Sequence, residues 1–359
     1  MNNDLYSRYI RQIRVSDFSN QGQEKLSRAK VLVVGAGALG CPVLMYLTAA
    51  GVGSIGVLDA DEVEITNLHR QVIYTDEDIG KPKVVIASKR LTLMNPNVEV
   101  ISHFVRLHRD NALEILSSYD LVIDCSDNFS TKFLVNDACV ILGKPCIIGG
   151  VMQFSGQLSV YNFNGGPTYR CLLPEEPDPL ESPSCAEAGV IGMVPGIIGA
   201  IQALEALKII TGIGQILSGR LLNFDGLSMT FSEFEIKLNP ENLKISKLSE
   251  YQYSCPDYIL NGRQIDSDTF LEMINGDNPP IVLAFSDDGK PLEAIGYQWE
   301  TIPLYELPSR AKNFSTDVDI ILACEYGLKS KAALRYLVSK QNFHRVYNLS
   351  EGIAGLRVK

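Results

Sequence analysis

Gly35-Ala36-Gly37-Ala38-Leu39-Gly40 is the first stretch of this chain whose residue types and spacing can do chemistry. Without side chains, Gly35 and Gly37 let the backbone turn tightly and approach a phosphate, and a helix opening at Gly40 adds oriented N–H donors. Asp59 follows about 20 residues beyond the loop, at the end of the next apolar run, where a carboxylate can accept from ribose hydroxyls. Strand, loop, helix, strand and acid in this order point to a bound nucleotide. The loop alone is equally compatible with a tight turn and close helix packing.

The residues that follow choose between nucleotides. Asp59-Ala60-Asp61-Glu62-Val63-Glu64-Ile65-Thr66-Asn67-Leu68-His69-Arg70-Gln71 is a dense polar stretch directly after the ribose acid. Lys83 comes next, in Gly80-Lys81-Pro82-Lys83, and Asp124-Cys125-Ser126-Asp127-Asn128 ends a later apolar run. Arg70 and Lys83 can neutralise a polyphosphate, and Asp127 can hold Mg²⁺ through oxygen. Cations plus an acid suit nucleotidyl transfer with pyrophosphate leaving, whereas hydride transfer needs neither. The residues therefore favour ATP. Two alternatives stay open: an NAD-dependent oxidoreductase, and a binding or scaffolding protein that keeps the fold without the chemistry.

These residues need a framework that brings them to one edge. Apolar runs at 30–34, 54–59, 98–103, 121–124 and 145–149 read as strands, and helical patterns at 40–50, 83–95 and 132–142 separate them. Continuous apolar strands alternating with helices predict a doubly wound, mostly parallel α/β sheet covered on both faces, a Rossmann-like fold. The C-terminal strand ends of such a sheet share one crevice, so Asp59, Asp61 and Asp127 should lie on the same rim as the glycine loop. From Val151 to Phe163 the pattern alternates and becomes antiparallel in character. Thr168 to Ser184, rich in Pro and acids, reads as an exposed loop. Val194 to Ile210 reads as an apolar core or dimer-packing helix, offering only Gln202, Glu205 and Lys208 to solvent.

Composition changes near 240–262, which predicts an organisation of 1–240, a linker at 241–262, and a second, smaller α/β domain at 263–359. With 32 basic and 42 acidic residues, the net charge of -10 argues against non-specific binding to nucleic acid or anionic membranes. No apolar run is expected to span a bilayer, and the polar N-terminus does not read as a secretory signal, so a cytoplasmic location is expected. The 8 cysteines should then be reduced, and most of them buried. The four histidines (His69, His103, His108 and His344) show no metal spacing.

Taken in order, Arg8-Tyr-Ile-Arg11-Gln12, the Gly35–Gly40 loop, Asp59-Ala-Asp61, Asn67-Leu-His-Arg70-Gln71, Lys81-Pro-Lys83 and Asp124-Cys-Ser-Asp127-Asn128 resemble the MoeB/ThiF family of ubiquitin-activating-type adenylyltransferases. The resemblance covers roughly residues 5–235. It implies a homodimer that uses Mg-ATP to adenylate the C-terminal glycine of a small ubiquitin-like sulfur-carrier protein, as in thiamine or molybdopterin-type cofactor synthesis. It further implies that Asp59 binds ribose, that Asn67, Arg70 and Lys83 bind phosphates, and that Asp127 coordinates Mg²⁺. Arg11 would reach the triphosphate held by the neighbouring subunit. Chemically, adenylation turns a poor electrophile, a carboxylate, into a mixed anhydride with a good leaving group, and positioning plus electrostatics suffice for it.

Cys185, in Ser184-Cys-Ala-Glu-Ala-Gly189, matches the family's loop cysteine, which in several relatives attacks the acyl-adenylate or relays sulfur. The family's structural zinc uses two C-x-x-C pairs. Here they read Thr168-Tyr-Arg-Cys171 and Cys255-Pro-Asp-Tyr258, and two cysteines cannot build a tetrahedral Cys₄ site, so no structural zinc is expected. Downstream, Ile320-Ile-Leu-Ala-Cys324-Glu-Tyr-Gly327-Leu-Lys329-Ser330 places a cysteine at a strand end before a tight loop and a helix. There backbone N–H groups, the helix dipole and Lys329 favour a thiolate or persulfide. With Val346 to Ile353 this segment resembles the rhodanese-like domain fused to some relatives, with a cysteine desulfurase as the implied source of sulfur. Two departures stand out. Ala284-Phe285-Ser286-Asp287 replaces the usual Asp-Val-Arg, and Glu293-Ala-Ile-Gly296-Tyr297 replaces the usual Gly-His.

Overall fold

The computed structural model describes residues 3–177, 189–249, 251, 262–286, 289–294, 297–341 and 343–357. Two compact units are present, one drawn from Met1–Glu176 and Ala188–Gln252, the other from Pro177–Glu187 and Tyr253–Lys359.

The larger unit is built on an eight-stranded sheet of β1 (Lys30–Val34), β2 (Ser54–Leu58), β3 (Glu99–His103), β4 (Leu121–Asp124), β5 (Cys146–Met152), β6 (Ser155–Tyr161), β7 (Arg220–Asp225) and β8 (Thr230–Glu235). Their order across the sheet is β3-β2-β1-β4-β5-β6-β7-β8. The first five are parallel, and β5 through β8 run antiparallel. Val31, Leu32, Val33 and Val34 are all buried, as is every residue of β2 and β4, because helices cover both faces of the parallel half. Val31, Val33, Ile55, Val57 and Ile123 share one core with Leu44 and Leu47 of the helix Gly40–Ala50, and with Ile198, Ala203 and Ala206 of the helix Met193–Thr211. From β1 the chain first winds outward through β2 and β3, then returns to β4 on the other flank. That reversal opens a crevice at the C-terminal ends of β1 and β4, where α/β sheets of this kind bind ligands.

The doubly wound α/β class expected from the sequence is the fold found, and several local expectations change. Met193–Thr211 is a 19-residue helix, by length and composition apolar enough to cross a membrane, which the sequence reading did not allow for. Its Val194, Ile198, Ala203 and Ala206 pack into the core of this unit, while Met193 and Leu204 are exposed. Gln202 and Glu205, expected to face solvent, are buried. The Gln202 side-chain amide donates to the Asp124 carbonyl at 2.9 Å, and a Glu205 carboxylate oxygen accepts from the Leu217 amide at 3.0 Å. Hydrogen bonding makes their burial tolerable. The stretch from Thr168 is also less exposed than expected, since Thr168 and Tyr169 are buried. Arg170 there grips the Asp137 carboxylate with two bonds of 2.8 Å. The hydroxyl of Tyr251, buried within the stretch read as a linker, donates to the same carboxylate at 2.6 Å. Irregular segments pinned by polar side chains carry no hydrophobic period, which is why the sequence reads them as loops. The β7–β8 hairpin was not anticipated for a related reason: β8 is exposed along its whole length and has no alternation to read.

The smaller unit holds a five-stranded parallel sheet in the order Glu300–Ile302, Ile281–Phe285, Ile320–Cys324, Val346–Leu349 and Gln264–Ile265. Its central strand, Ile320–Cys324, is buried throughout. Ile320, Leu322 and Cys324 pack into one core with Leu334, Leu337 and Phe343. Ile321 and Ala323 pack into the other, with Phe270, Ile353 and Leu356. Period-2 alternation thus separates two covered faces and leaves Cys324 at the C-terminal end of the middle strand.

Candidate active site

The glycine loop of the larger unit closes on itself and on the end of β4. Gly35 has φ +95°, and a β-carbon there would lie 2.9 Å from the Cys125 carbonyl oxygen. A β-carbon on Gly40 would lie 2.0 Å from the Gly35 oxygen. Both positions are restricted to glycine by backbone closure. Gly37 is different: the nearest atom to an added β-carbon is the side-chain nitrogen of Gln71, at 3.7 Å. Packing does not explain Gly37, whereas a ligand approaching the backbone would.

Asp59 is tied directly to this loop. Its Oδ2 accepts from the Ala36 amide at 2.7 Å and its Oδ1 from the Asp61 amide at 2.8 Å. Burial pushes the carboxyl above its ordinary value, against the attraction of Lys83. Each oxygen can accept a second bond, so ribose hydroxyls can be added without breaking the existing ones. Lys83 begins the helix Lys83–Met94 and is buried, with its Nζ 3.1 Å from Oδ2 of Asp61, which is exposed. The Lys83 amide also donates to the Asp61 carbonyl at 2.9 Å, so backbone and side chain fix the pair together.

The 64–71 turn stands beside the loop. Asn67 is buried, and its side-chain oxygen accepts from the Glu64 amide at 3.4 Å. Its carbonyl accepts from the amides of Arg70 and Gln71 at 3.1 and 3.0 Å. Arg70 folds its guanidinium onto the Thr66 carbonyl at 2.8 Å and lies 2.7 Å from Nε2 of His69. Gln71 is buried beside Gly37, and its side-chain oxygen has no partner. On the other flank of β1, Asp127 presents an exposed carboxylate three residues past the wholly buried Asp124.

Bonds and close approaches therefore join Gly35, Gly37, Gly40, Asp59, Asp61, Lys83 and Gln71 around one loop, with Asn67 and Arg70 in the adjoining turn and Asp127 on the neighbouring strand end. Arg11 is exposed on the separate helix Asn3–Ile13. Cys185 and Cys255 lie outside the described residues. Sequence reasoning missed Tyr74, whose hydroxyl donates to the Ala36 carbonyl at 2.8 Å and lies 3.4 Å from the Lys83 carbonyl. Burial raises its pKa, so it remains a donor and ties loop to helix. A tyrosine in irregular sequence carries no signal of such a role.

The other cysteines separate by environment. Cys41, Cys125, Cys139 and Cys146 are buried, and burial pushes Cys41 up to about 12. Cys171 is partly exposed. Its sulfur accepts from the amides of Thr168 and Asn239 at 3.4 Å each and from the side-chain amide of Asn242 at 3.5 Å. Burial opposes its ionisation, but these donors and the Thr168 hydroxyl outweigh it and lower the pKa. The residue the sequence compared with a zinc ligand thus has its sulfur surrounded by hydrogen-bond donors. Among the described residues no group of three or more metal-ligating side chains occurs.

In the smaller unit, Cys324 is buried, and its sulfur accepts from the Ser330 amide at 3.4 Å and hydroxyl at 3.3 Å. The loop between them turns at Gly327, φ +75°, where an added β-carbon would meet the Ser350 carbonyl oxygen at 2.4 Å. The cysteine loop is therefore held against the turn that follows the next strand.

The ThiF family profile matches residues 9–245. This chain belongs to the ThiF family. A sulfur carrier protein adenylyltransferase of Thermus thermophilus is 53% identical over 238 residues, which is 65% of this chain and 88% of the relative. The adenylyltransferase and sulfurtransferase MOCS3 of Aedes aegypti is 47% identical over 283 residues, 76% of this chain, and the chain spans 63% of that relative's length. MOCS3 of Drosophila yakuba is 37% identical over 384 aligned positions, covering 98% of this chain and 83% of the relative, so the likeness continues through the smaller unit. Among solved structures, Escherichia coli MccB with ATP shares the fold at a TM-score of 0.59 and 22% identity, over 68% of this chain and 74% of that one.

Proposed function

We propose that this chain uses Mg-ATP to adenylate the C-terminal carboxylate of a small ubiquitin-like sulfur-carrier protein, and that Cys324 carries sulfur for the activated product. The observation that carries the first half is the Asp59–Ala36 bond beside the Lys83–Asp61 pair. It puts a ribose acid, a phosphate loop and a nearly buried cation within one bonded group in a ThiF-family chain.

In this reading Asp59 orients the ribose, and the loop amides around Gly37 meet the phosphates. Lys83, exchanging part of its pairing with Asp61, and Arg70, swinging off Thr66, offset charge developing on the α-phosphate and the departing pyrophosphate. Positioning supplies the rest, since the carrier carboxylate must lie in line with the leaving pyrophosphate. Mg²⁺ typically takes one or two protein carboxylates and completes its octahedron from phosphates and water, and the single exposed carboxylate of Asp127 fits that donor set. Bound there, the ion would neutralise phosphate charge. A homodimer would bring Arg11 to the partner's site, a cysteine desulfurase would supply sulfur to Cys324, and the reaction belongs in the cytoplasm.

ATP–pyrophosphate exchange tests the reading. Exchange that appears only with a small carrier ending in Gly-Gly is the expected result. Absence of exchange with carriers of the thiamine and molybdopterin types would favour the scaffolding alternative.

A further inference from the structure

Lys132 is the residue whose placement the chemistry above leaves unexplained. It sits in the first turn of the helix Phe129–Leu142, where the helix dipole disfavours a cation, and it is buried, where a lone cation is costlier still. Three groups compensate. Its Nζ donates to the Ser126 and Gly149 carbonyls at 2.7 Å each and lies 3.6 Å from Oδ1 of Asp124. That same Oδ1 accepts from the Ser126 amide at 2.7 Å. The Asp124 carbonyl is held by Gln202 at 2.9 Å, and the Cys125 amide donates to Val34 of β1 at 2.8 Å. Apart from the Gly149 bond, every tether lands on residues 124–126. The next residue is Asp127, whose own carboxylate is exposed.

We infer that Lys132 is a positioning residue, a buried ammonium that fixes the 124–126 turn so that Asp127 is presented to the metal–nucleotide in a set orientation. The inference rests on the adenylation reading above. The ion pair is internal and nearly neutral, so its contribution lies in geometry and not in a field reaching the phosphates. The other arm of the clip, Gly149, belongs to β5, which links the turn to the rigid sheet.

The test uses the full-length protein with Lys132→Gln, which keeps a donor, Lys132→Arg, which keeps donor and charge, and Asp124→Asn with Lys132→Met, which removes both charges together and leaves no orphan carboxylate. In the ligand-free protein, hydrogen exchange should quicken at residues 124–130 in Lys132→Gln, with other segments unchanged. In ATP–pyrophosphate exchange, the Mg²⁺ concentration for half-maximal rate should rise about tenfold while the ATP requirement at saturating Mg²⁺ moves less than about threefold, with Lys132→Arg recovering most of the loss. In an Asp127→Asn background, Lys132→Gln should add little further loss, because both changes act through one carboxylate. Multiplicative losses in that double variant, or a Mg²⁺ requirement that does not move in Lys132→Gln and the Asp124–Lys132 pair variant, would overturn the inference. A wild-type protein without exchange would instead count against the adenylation reading, with the hydrogen-exchange result still deciding whether Lys132 holds the turn.

Discussion

The Ala36 amide donates to Oδ2 of Asp59 at 2.7 Å, so the glycine loop and the acid ending the next strand are one bonded unit before any nucleotide arrives. Preorganisation of this kind keeps binding energy from being spent on ordering the site.

Two of the loop glycines, Gly40 and Gly37, should respond differently to alanine. Gly40→Ala would set a β-carbon 2.0 Å from the Gly35 oxygen and should cost at least about 2 kcal/mol of stability, since rigid backbone cannot yield. Gly37→Ala has room in the ligand-free protein and should leave the melting temperature nearly unchanged while weakening ATP binding. Thermal melts beside ATP titrations check both. A Gly37→Ala protein that binds ATP normally would return this loop to a packing role.

Lys83→Met should lower carrier-dependent ATP–pyrophosphate exchange about a hundredfold, the range expected for losing one preorganised electrostatic contact. Asp61, its exposed partner, is left in water, so the variant should fold normally. Steady-state exchange with circular dichroism as the folding control tests this, and activity within a few-fold of wild type would remove Lys83 from the machinery.

Cys171 should be the first of the described cysteines to react with iodoacetamide near neutral pH, because its donors lower its pKa while the others are buried. The linkage has a definite sign. A depressed pKa contributes stability above the ordinary thiol value of 9.0 and loses it as pH falls through the lowered value. The melting penalty of Cys171→Ala should therefore shrink as the solution is acidified. Chelators should leave the melting temperature unchanged, and one tightly held zinc per chain in a metal assay would show that the hydrogen-bonded sulfur is not the whole account.

Cys324→Ala should abolish thiosulfate:cyanide sulfur transfer, and Ser330→Ala, which removes the hydroxyl 3.3 Å from the sulfur, should slow it by several-fold. Transfer unchanged in Cys324→Ala would leave the smaller unit with its fold and without the assigned chemistry.

Much of this molecule is legible in its amino-acid sequence. The apolar runs of β1, β2 and β4 are continuous because both faces of a parallel strand are buried, so their type and approximate bounds follow from the pattern of apolar residues. The Gly35 loop, Asp59, Lys83 and Asp127 are legible because they sit at strand and helix ends, where function concentrates in such folds. Tertiary structure alone decided which polar residues are structural. Gln202 and Glu205 read as solvent-facing in a string of letters, and nothing there marks Lys132 or Asp124 as structural, yet all four are buried, with partners such as Asp124 for Gln202, Leu217 for Glu205 and Gly149 for Lys132. Hydrophobic periodicity reports which side of an element faces inward; it carries no record of which carbonyl or amide waits there. That pairing is fixed only when strands β4 and β5 and the helix Met193–Thr211 are packed together, and it is what turns a plausible list of charges into a site with a defined shape.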